Sequence, residues 1–413
     1  MSALYNANMI PIEEAQALVL DAIKPLGNER VDLFSALNRV LAEPVFSSLD
    51  FPRWHSSVMD GYAVHSNELG ETPVTLPIVE EIAAGTIPQH QLAAGETSRI
   101  FTGAMMPIGS DAVVIQENTT ANPDGTVRIL KPVKAGANMV RQGAHLRTGD
   151  LLMPAGTVLH APEIGILSSV GQSFVSVNRR PVVAILSTGN ELVPLGSELK
   201  PGQIIDSNQY ALAAQVIEAG AIPRLLGVVK DDIPSLKKAI KLALDADFIL
   251  SSGGVSVGDY DHVKPVLQDL GAEILFQKIR VKPGKPLTFA LLDQVAYWGL
   301  PGNPVSCLVG FWLTVYPAIR KSMGYPESLQ KLPVISAHLT EMAEGTGERE
   351  TYIRGVLYQQ EDQLYFTPRS SHASGNLVNL QGINGFGVVP VGTERVDQSM
   401  EIRVLQVGAV QVR

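Results

Sequence analysis

From Pro181 onward, short and almost wholly apolar runs alternate with amphipathic ones, and this alternation restricts what the chain can fold into. Residues 182–187 form an apolar run bounded by turn residues. In residues 208–219, Leu212, Val216 and Ala219 share a helical face that stops at Gly220. Residues 222–229 predict a second strand, and Leu236, Ala239, Ile240, Ala243 and Leu244 a second helix. Residues 248–250 predict a third strand, followed by a helix marked by Val263, Val266, Leu267 and Leu270. Continuous apolar strands that alternate with amphipathic helices imply a largely parallel sheet covered on both faces.

The flanking regions have a different texture. Near the start, Ile12, Ala15, Val19, Ala22 and Ile23 fall on one helical face after Pro11, and Leu33, Leu37, Val40 and Leu41 predict a second short helix. Residues 45–134 alternate short β-rich runs with Gly-, Pro- and Asn-rich turns, which reads as a small β domain. The last stretch returns to β-rich runs at 352–358, 364–367, 387–390 and 402–407.

Composition excludes several classes. The formal net charge of −9 argues against a global electrostatic grip on nucleic acid. One cysteine, Cys307, cannot build a disulfide framework, an iron–sulfur cluster or a cysteine zinc site. The eight histidines are scattered without HExxH spacing. No basic and apolar leader opens the chain, and the longest apolar stretch, 305–319, is short of the roughly 20 residues that cross a bilayer. A cytoplasmic protein with no membrane partner is the expectation.

Ligands of open α/β sheets bind beyond the carboxyl ends of the strands. Three loops there carry chemistry: Ser187-Thr188-Gly189-Asn190-Glu191, the Ser251–Asp261 loop with Gly253, Gly254 and Ser256, and Pro301-Gly302-Asn303-Pro304-Val305-Ser306. Glycines let backbone N–H groups approach an anion, and serine hydroxyls add donors. None of the loops is a Walker A or GxGxxG sequence, so a P-loop NTPase and a nicotinamide-binding fold are disfavoured. Val281-Lys282-Pro283-Gly284-Lys285-Pro286 holds two lysines in a stiff turn, suited to phosphate or oxyanion contacts. Asp60, Glu191, Asp231, Asp232 and Asp261 supply hard oxygens of the kind Mg²⁺ prefers. The blander reading is helix capping for Asp232 and Asp261 and a local Asx turn for Asp60. Cys307 reads as a packing residue.

Six segments carry a resemblance over nearly the whole chain: SSVMDGYAV (56–64), RIFTGAMMPIGSDAVVIQE (99–117), STGNEL (187–192), SSGGVSVGDYD (251–261), VKPGKPL (281–287) and LPGNPVS (300–306). They are similar to the motifs of the MoeA and gephyrin E-domain family of molybdopterin molybdenumtransferases. The resemblance implies a multidomain α/β plus β fold. Its parts are a discontinuous N-terminal domain (1–45 and 142–178), a small β domain (46–141), a pterin-binding parallel-sheet α/β domain (179–326) and a C-terminal β-barrel (327–413).

The resemblance also implies a homodimer with its active site at the subunit interface. The implied reaction inserts molybdate into adenylyl-molybdopterin with Mg²⁺ and releases AMP. Carried over by motif, Asp60, Thr102, Glu191, Asp261, Lys282 and Lys285 take catalytic roles, with Asp60, Glu191 and Asp261 at the metal. Thr188, Gly189, Asp231, Gly253, Gly254, Ser256, Pro301, Gly302, Asn303 and Ser306 bind substrate, joined by Arg349, Arg354 and Ser374 from the C-terminal domain. Molybdopterin adenylyltransferase and molybdoenzyme apoproteins are the implied partners. Two departures stand out: Asn190 in Thr-Gly-Asn-Glu-Leu, and Arg141-Gln142-Gly143-Ala144-His145 where the family has Gly-Glu-Asp. ATP-dependent adenylation of molybdopterin, performed by relatives of the isolated α/β module, is the alternative. A non-catalytic scaffold is disfavoured for want of an appended interaction tail.

Overall fold

A computed structural model describes residues 9–254, 262–369 and 375–413. The chain divides into two compact units. One takes residues up to Glu29, Asn38–Val40 and Val177–Arg413, and the other takes Arg30–Leu37 and Leu41–Ser176.

The first unit opens with helix α1 (Ile12–Ala22), which buries Ile12, Ala15 and Val19 and ends where Ile23 turns extended. Its sheet is built from β1 (Val182–Thr188), β2 (Ile222–Val229), β3 (Phe248–Ser252), β4 (Glu273–Lys278), β5 (Pro286–Leu292) and β6 (Val295–Leu300), in the order β2-β1-β3-β6-β5-β4. The pairs β1–β2, β1–β3 and β3–β6 are parallel, as the apolar alternation predicts. The last two strands are antiparallel additions at one edge. Helices α2 (Asn208–Glu218), α3 (Ile233–Leu242), α4 (Val263–Asp269) and α5 (Pro304–Gly310) complete the layer.

Both faces of the central strands β1, β3 and β6 are sealed. On one, Leu186, Ile249 and Tyr297 pack with Leu236 and Ile240 of α3 and with Val266 and Leu267 of α4. The next residue along β6, Trp298, points the other way, as strand alternation requires. Its ring lies 5.3 Å from Phe248 and 4.9 Å from Phe289. Apolar surface on two faces explains why the strands are continuous runs.

The C-terminal part of this unit is a closed barrel. Strand Glu350–Gln360 pairs with Gln363–Pro368, then Val334–Leu339, Glu401–Gln406 and Gly385–Val389 follow, and the last pairs back with the first. The two-residue strand Val281–Lys282 adds in parallel to Glu350 and Thr351, so the lysine turn lies against the barrel edge. Among the described residues no helix is long and apolar enough to cross a membrane.

The second unit holds a six-stranded sheet in which Gly61–Val64 lies between Ala112–Ile115 and Thr97–Ile100. Tyr62, Val64, Val114, Val127 and Ile129 fill one core and Ala63, Ile82, Ile100 and Val113 another. The short helix expected over Leu33 to Leu41 is not formed. The Asp32 carboxylate accepts the amides of Phe34 (3.0 Å) and Ser35 (3.1 Å), and Asn38 goes left-handed at φ 59°, so residues 33–38 are turns. Phe34 is 92% exposed, so no buried face rewards a helix there.

Gly61 has no room for a side chain: an added Cβ would lie 2.0 Å from the Val114 carbonyl oxygen. Gly61→Ala should push the 112–115 strand away and lower stability by about 2 kcal/mol or more. Gly70, with ordinary φ and nothing within 4 Å, should tolerate alanine. Denaturant melts of the two variants check this, and equal midpoints would contradict it.

Candidate active site

The parallel strands end in register. Ser187 of β1 pairs with Ser252 of β3, and Ser252 with Leu300 of β6, so three loops leave the sheet at one level. They line a cavity of about 700 Å³ that includes Thr188, Gly189, Glu191, Asp231, Gly253, Gly254, Pro301, Gly302 and Asn303. Close packing of the loops needs glycine: Gly253 has φ +93°, and a Cβ there would lie 2.2 Å from the Thr188 carbonyl oxygen. Gly375 and Leu377 line the same cavity. Ser256, Asp261 and Ser374 lie outside the described residues.

The two adjacent aspartates divide their work. Asp232 caps α3 by accepting the Ser235 amide at 2.8 Å, as the capping argument expects. Asp231 accepts the Thr188 hydroxyl at 3.0 Å and faces the cavity. The Glu191 carboxylate has no hydrogen-bond partner among the described residues, and it lines the same space. Two carboxylates and open ligand positions suit Mg²⁺, which completes its octahedron with water and substrate oxygens. Among the described residues no three His, Cys, Asp or Glu side chains gather into a self-sufficient metal cluster.

A second cavity of about 510 Å³ adjoins the first, and both are lined by Pro286 and Asn303. Its wall carries Lys282, Lys285, Ser306, Arg349 and Arg354. The lysines are half-buried, and among the described residues neither they nor the Arg349 guanidinium has an ion-pair or hydrogen-bond partner. Arg354 is 4% exposed, and burial lowers its pKa from the ordinary arginine value. The exposed Glu344 also lines this cavity, facing four cationic side chains, and an oxyanion would balance the remaining positive charge. Sequence motifs 69 residues apart thus meet in one place, through the parallel pairing of Lys282 with Thr351.

Asp60 and Thr102 belong to the other unit, where they are bonded to each other. Asp60 Oδ1 accepts both the amide and the hydroxyl of Thr102 at 2.8 Å, a contact 42 residues apart and not the local Asx turn of the bland reading. His145, the departure from the family pattern, is exposed, with its amide on the Phe51 carbonyl at 3.0 Å. Cys307 is buried against Ser252, and burial pushes its thiol up to about 12, which removes it as a nucleophile.

Sequence reading missed Asp206 and Asn208. Asp206, 1% exposed, accepts Ser187 Oγ at 3.0 Å and the Gln209 amide at 3.2 Å. An Asp-Ser-Asn run before an apolar helix reads as ordinary capping, which hid both residues.

The Thr102 amide and hydroxyl hold the Asp60 carboxyl below its ordinary value of 3.8. A carboxyl lowered in the folded state adds stability above its unfolded pKa and loses it as pH falls through the folded value. Thr102→Val removes the hydroxyl donor and keeps the backbone one. The Asp60 titration, followed by carbonyl NMR, should therefore move up toward the ordinary value; an unmoved titration would contradict the contact.

Comparison with known proteins agrees with this geometry. Residues 10–171 match the MoeA N-terminal region (domain I and II), 184–321 the "Probable molybdopterin binding domain", and 336–407 the MoeA C-terminal region (domain IV). A protein of Nostoc sp. named molybdopterin molybdenumtransferase is 46% identical over 92% of this chain and 88% of its own. One of Bacillus subtilis with the same name is 33% identical over 97% and 95%. The crystal structure of a molybdopterin biosynthesis MoeA protein from Pyrococcus horikosii superposes with a TM-score of 0.84 at 32% identity, covering 97% of this chain and all of that one. With its sheet, barrel and loops matched from end to end, the chain belongs to the MoeA family.

Proposed function

We propose that this chain is a molybdopterin molybdenumtransferase of molybdenum cofactor biosynthesis, which consumes adenylyl-molybdopterin and molybdate and releases AMP. The observation that carries the reading is the pair of adjoining cavities, one lined by carboxylates and glycine loops and the other mainly by cations, of which Lys282, Lys285 and Arg349 have no ion-pair partner among the described residues. The first suits a pterin, with its N–H groups toward the acceptors and its phosphate toward the glycine-loop amides and Mg²⁺, and the second suits a tetrahedral dianion.

Glu191 and Asp231 would hold Mg²⁺, together with Asp60 and Asp261 as the resemblance implies. Bound there, the ion supplies charge neutralisation at a phosphoanhydride. Lys282, Lys285 and Arg349 bind the oxyanion and keep it oriented beside the substrate. The Ser306 hydroxyl, at the start of α5, adds a donor. The bond that breaks is the phosphoanhydride P–O bond. Water forms the new bond to the pterin-side phosphorus and the bridging oxygen leaves with AMP, so no side-chain nucleophile is needed. Molybdate exchanges one oxo ligand for the two dithiolene sulfurs, and that oxygen leaves as water with the two thiol protons. In a homodimer, the Asp60–Thr102 pair of one copy would serve the cavity of the other.

Adenylation of molybdopterin from ATP is the disfavoured alternative, because matches to the MoeA N- and C-terminal regions flank the α/β module. The test follows AMP release from adenylyl-molybdopterin with Mg²⁺, with and without molybdate. Molybdate-dependent release is expected. Release at the same rate without molybdate, or consumption of ATP in its place, would overturn the reading. Lys282→Gln should raise the molybdate concentration for half-maximal release about tenfold, the loss of one charge-assisted contact.

A further inference from the structure

Asn208 is the first residue of α2, one position past the cap residue Ser207. Here its side chain reaches away. Nδ2 donates to Ser252 Oγ at 2.7 Å and to the Gly302 carbonyl at 2.8 Å. A carbonyl can only accept, so the Gly302 contact fixes the amide orientation. Both hydrogens are then committed, each to a different loop of the site.

The anchor points are rigid. Ser252 is 2% exposed and also receives the Cys307 thiol at 3.7 Å. Neighbouring Asp206 ties the start of α2 back to Ser187 of β1 and to Gln209, whose Oε1 accepts the Gly227 amide at 2.8 Å. One small network thus joins the ends of β1 and β3, the loop after β6 and the bulged strand β2. Asn208 is 9% exposed and lines the larger cavity.

From this arrangement we infer that Asn208 is a positioning and specificity residue for the pterin. Its amide sets the spacing between the Ser252–Gly254 and Pro301–Asn303 turns, and its Oδ1 accepts an N–H of the ligand. Oδ1 has no partner among the described residues and can only accept, so what it meets is a donor and not a phosphate oxygen. The carboxylates of Glu191 and Asp231 line the same cavity, while Lys282, Lys285 and Arg349 line its neighbour. An acceptor-rich cavity complements the amino and ring N–H groups of a pterin. This inference rests on the proposed function.

The test uses the full-length protein and measures binding, not turnover. Molybdopterin and molybdate are titrated separately into wild type, Asn208→Ala, Asn208→Asp and Ser252→Ala, and each variant's melting midpoint is recorded. Asn208→Ala should raise the molybdopterin dissociation constant at least tenfold and leave that of molybdate within about twofold. Ser252→Ala, which removes one arm of the clasp, should cost less. Asn208→Asp keeps the volume and an acceptor but turns an oxygen toward the Gly302 carbonyl, so it should also weaken molybdopterin. Unchanged molybdopterin affinity in both Asn208 variants would overturn the inference. So would parallel loss of both ligands with a lower midpoint, which makes Asn208 a folding residue only. Wild-type protein that does not bind molybdopterin would overturn the functional reading itself, and this inference with it.

Discussion

The site depends on the register of the parallel sheet. Because Ser187, Ser252 and Leu300 sit side by side, three chemically rich loops emerge at one edge and can share a cavity. Shifting one strand by a residue would turn its side chains to the opposite face and move its loop by about 3.3 Å. The register is fixed on both sides of the sheet, by Tyr297 within the helix-covered core and by Trp298 against Phe248 and Phe289. Core packing and active-site geometry are thus one constraint.

A second consequence is the separation of charge. Acidic groups on the loops after β1 and β2 line one cavity, and basic groups from the 282–285 turn and the barrel, with the single carboxylate Glu344, line the next. If the two sets were interleaved they would neutralise each other as ordinary ion pairs and leave little field for a ligand. The ion pairs that do occur, such as Arg179–Asp247 and Arg224–Asp245, lie outside both cavities.

The central parallel strands were readable from sequence because both of their faces are buried, which leaves apolar runs at 182–187 and 248–250; the edge strand 222–229 is apolar too, although Ile222 and Leu225 are exposed. The antiparallel edge strands, 273–278 and 286–292, were not, since the lysine turn, and no helix, lies between them, so the strand–helix alternation gives no mark there. At the site, motif residues such as Glu191, Asp231 and Lys285 were identifiable by chemistry. Their division between two cavities was not, because it depends on the pairing of Lys282 with Thr351, 69 positions away. Asn208 escaped because helix capping explains an asparagine at that place equally well. Leu33 to Leu41 misled for the opposite reason: helical spacing was present, but no partner surface was.

The central claim is that the two cavities divide the ligand, with the oxyanion among the cations and the pterin phosphate beside the carboxylates. Anomalous diffraction at the molybdenum edge, from crystals soaked with molybdate and AMP, tests it directly. The account predicts a molybdenum peak bounded by Lys282, Lys285 and Arg349, with AMP in the neighbouring cavity. A molybdenum peak among Glu191, Asp231 and the glycine loops, with the cationic cavity empty, would contradict it.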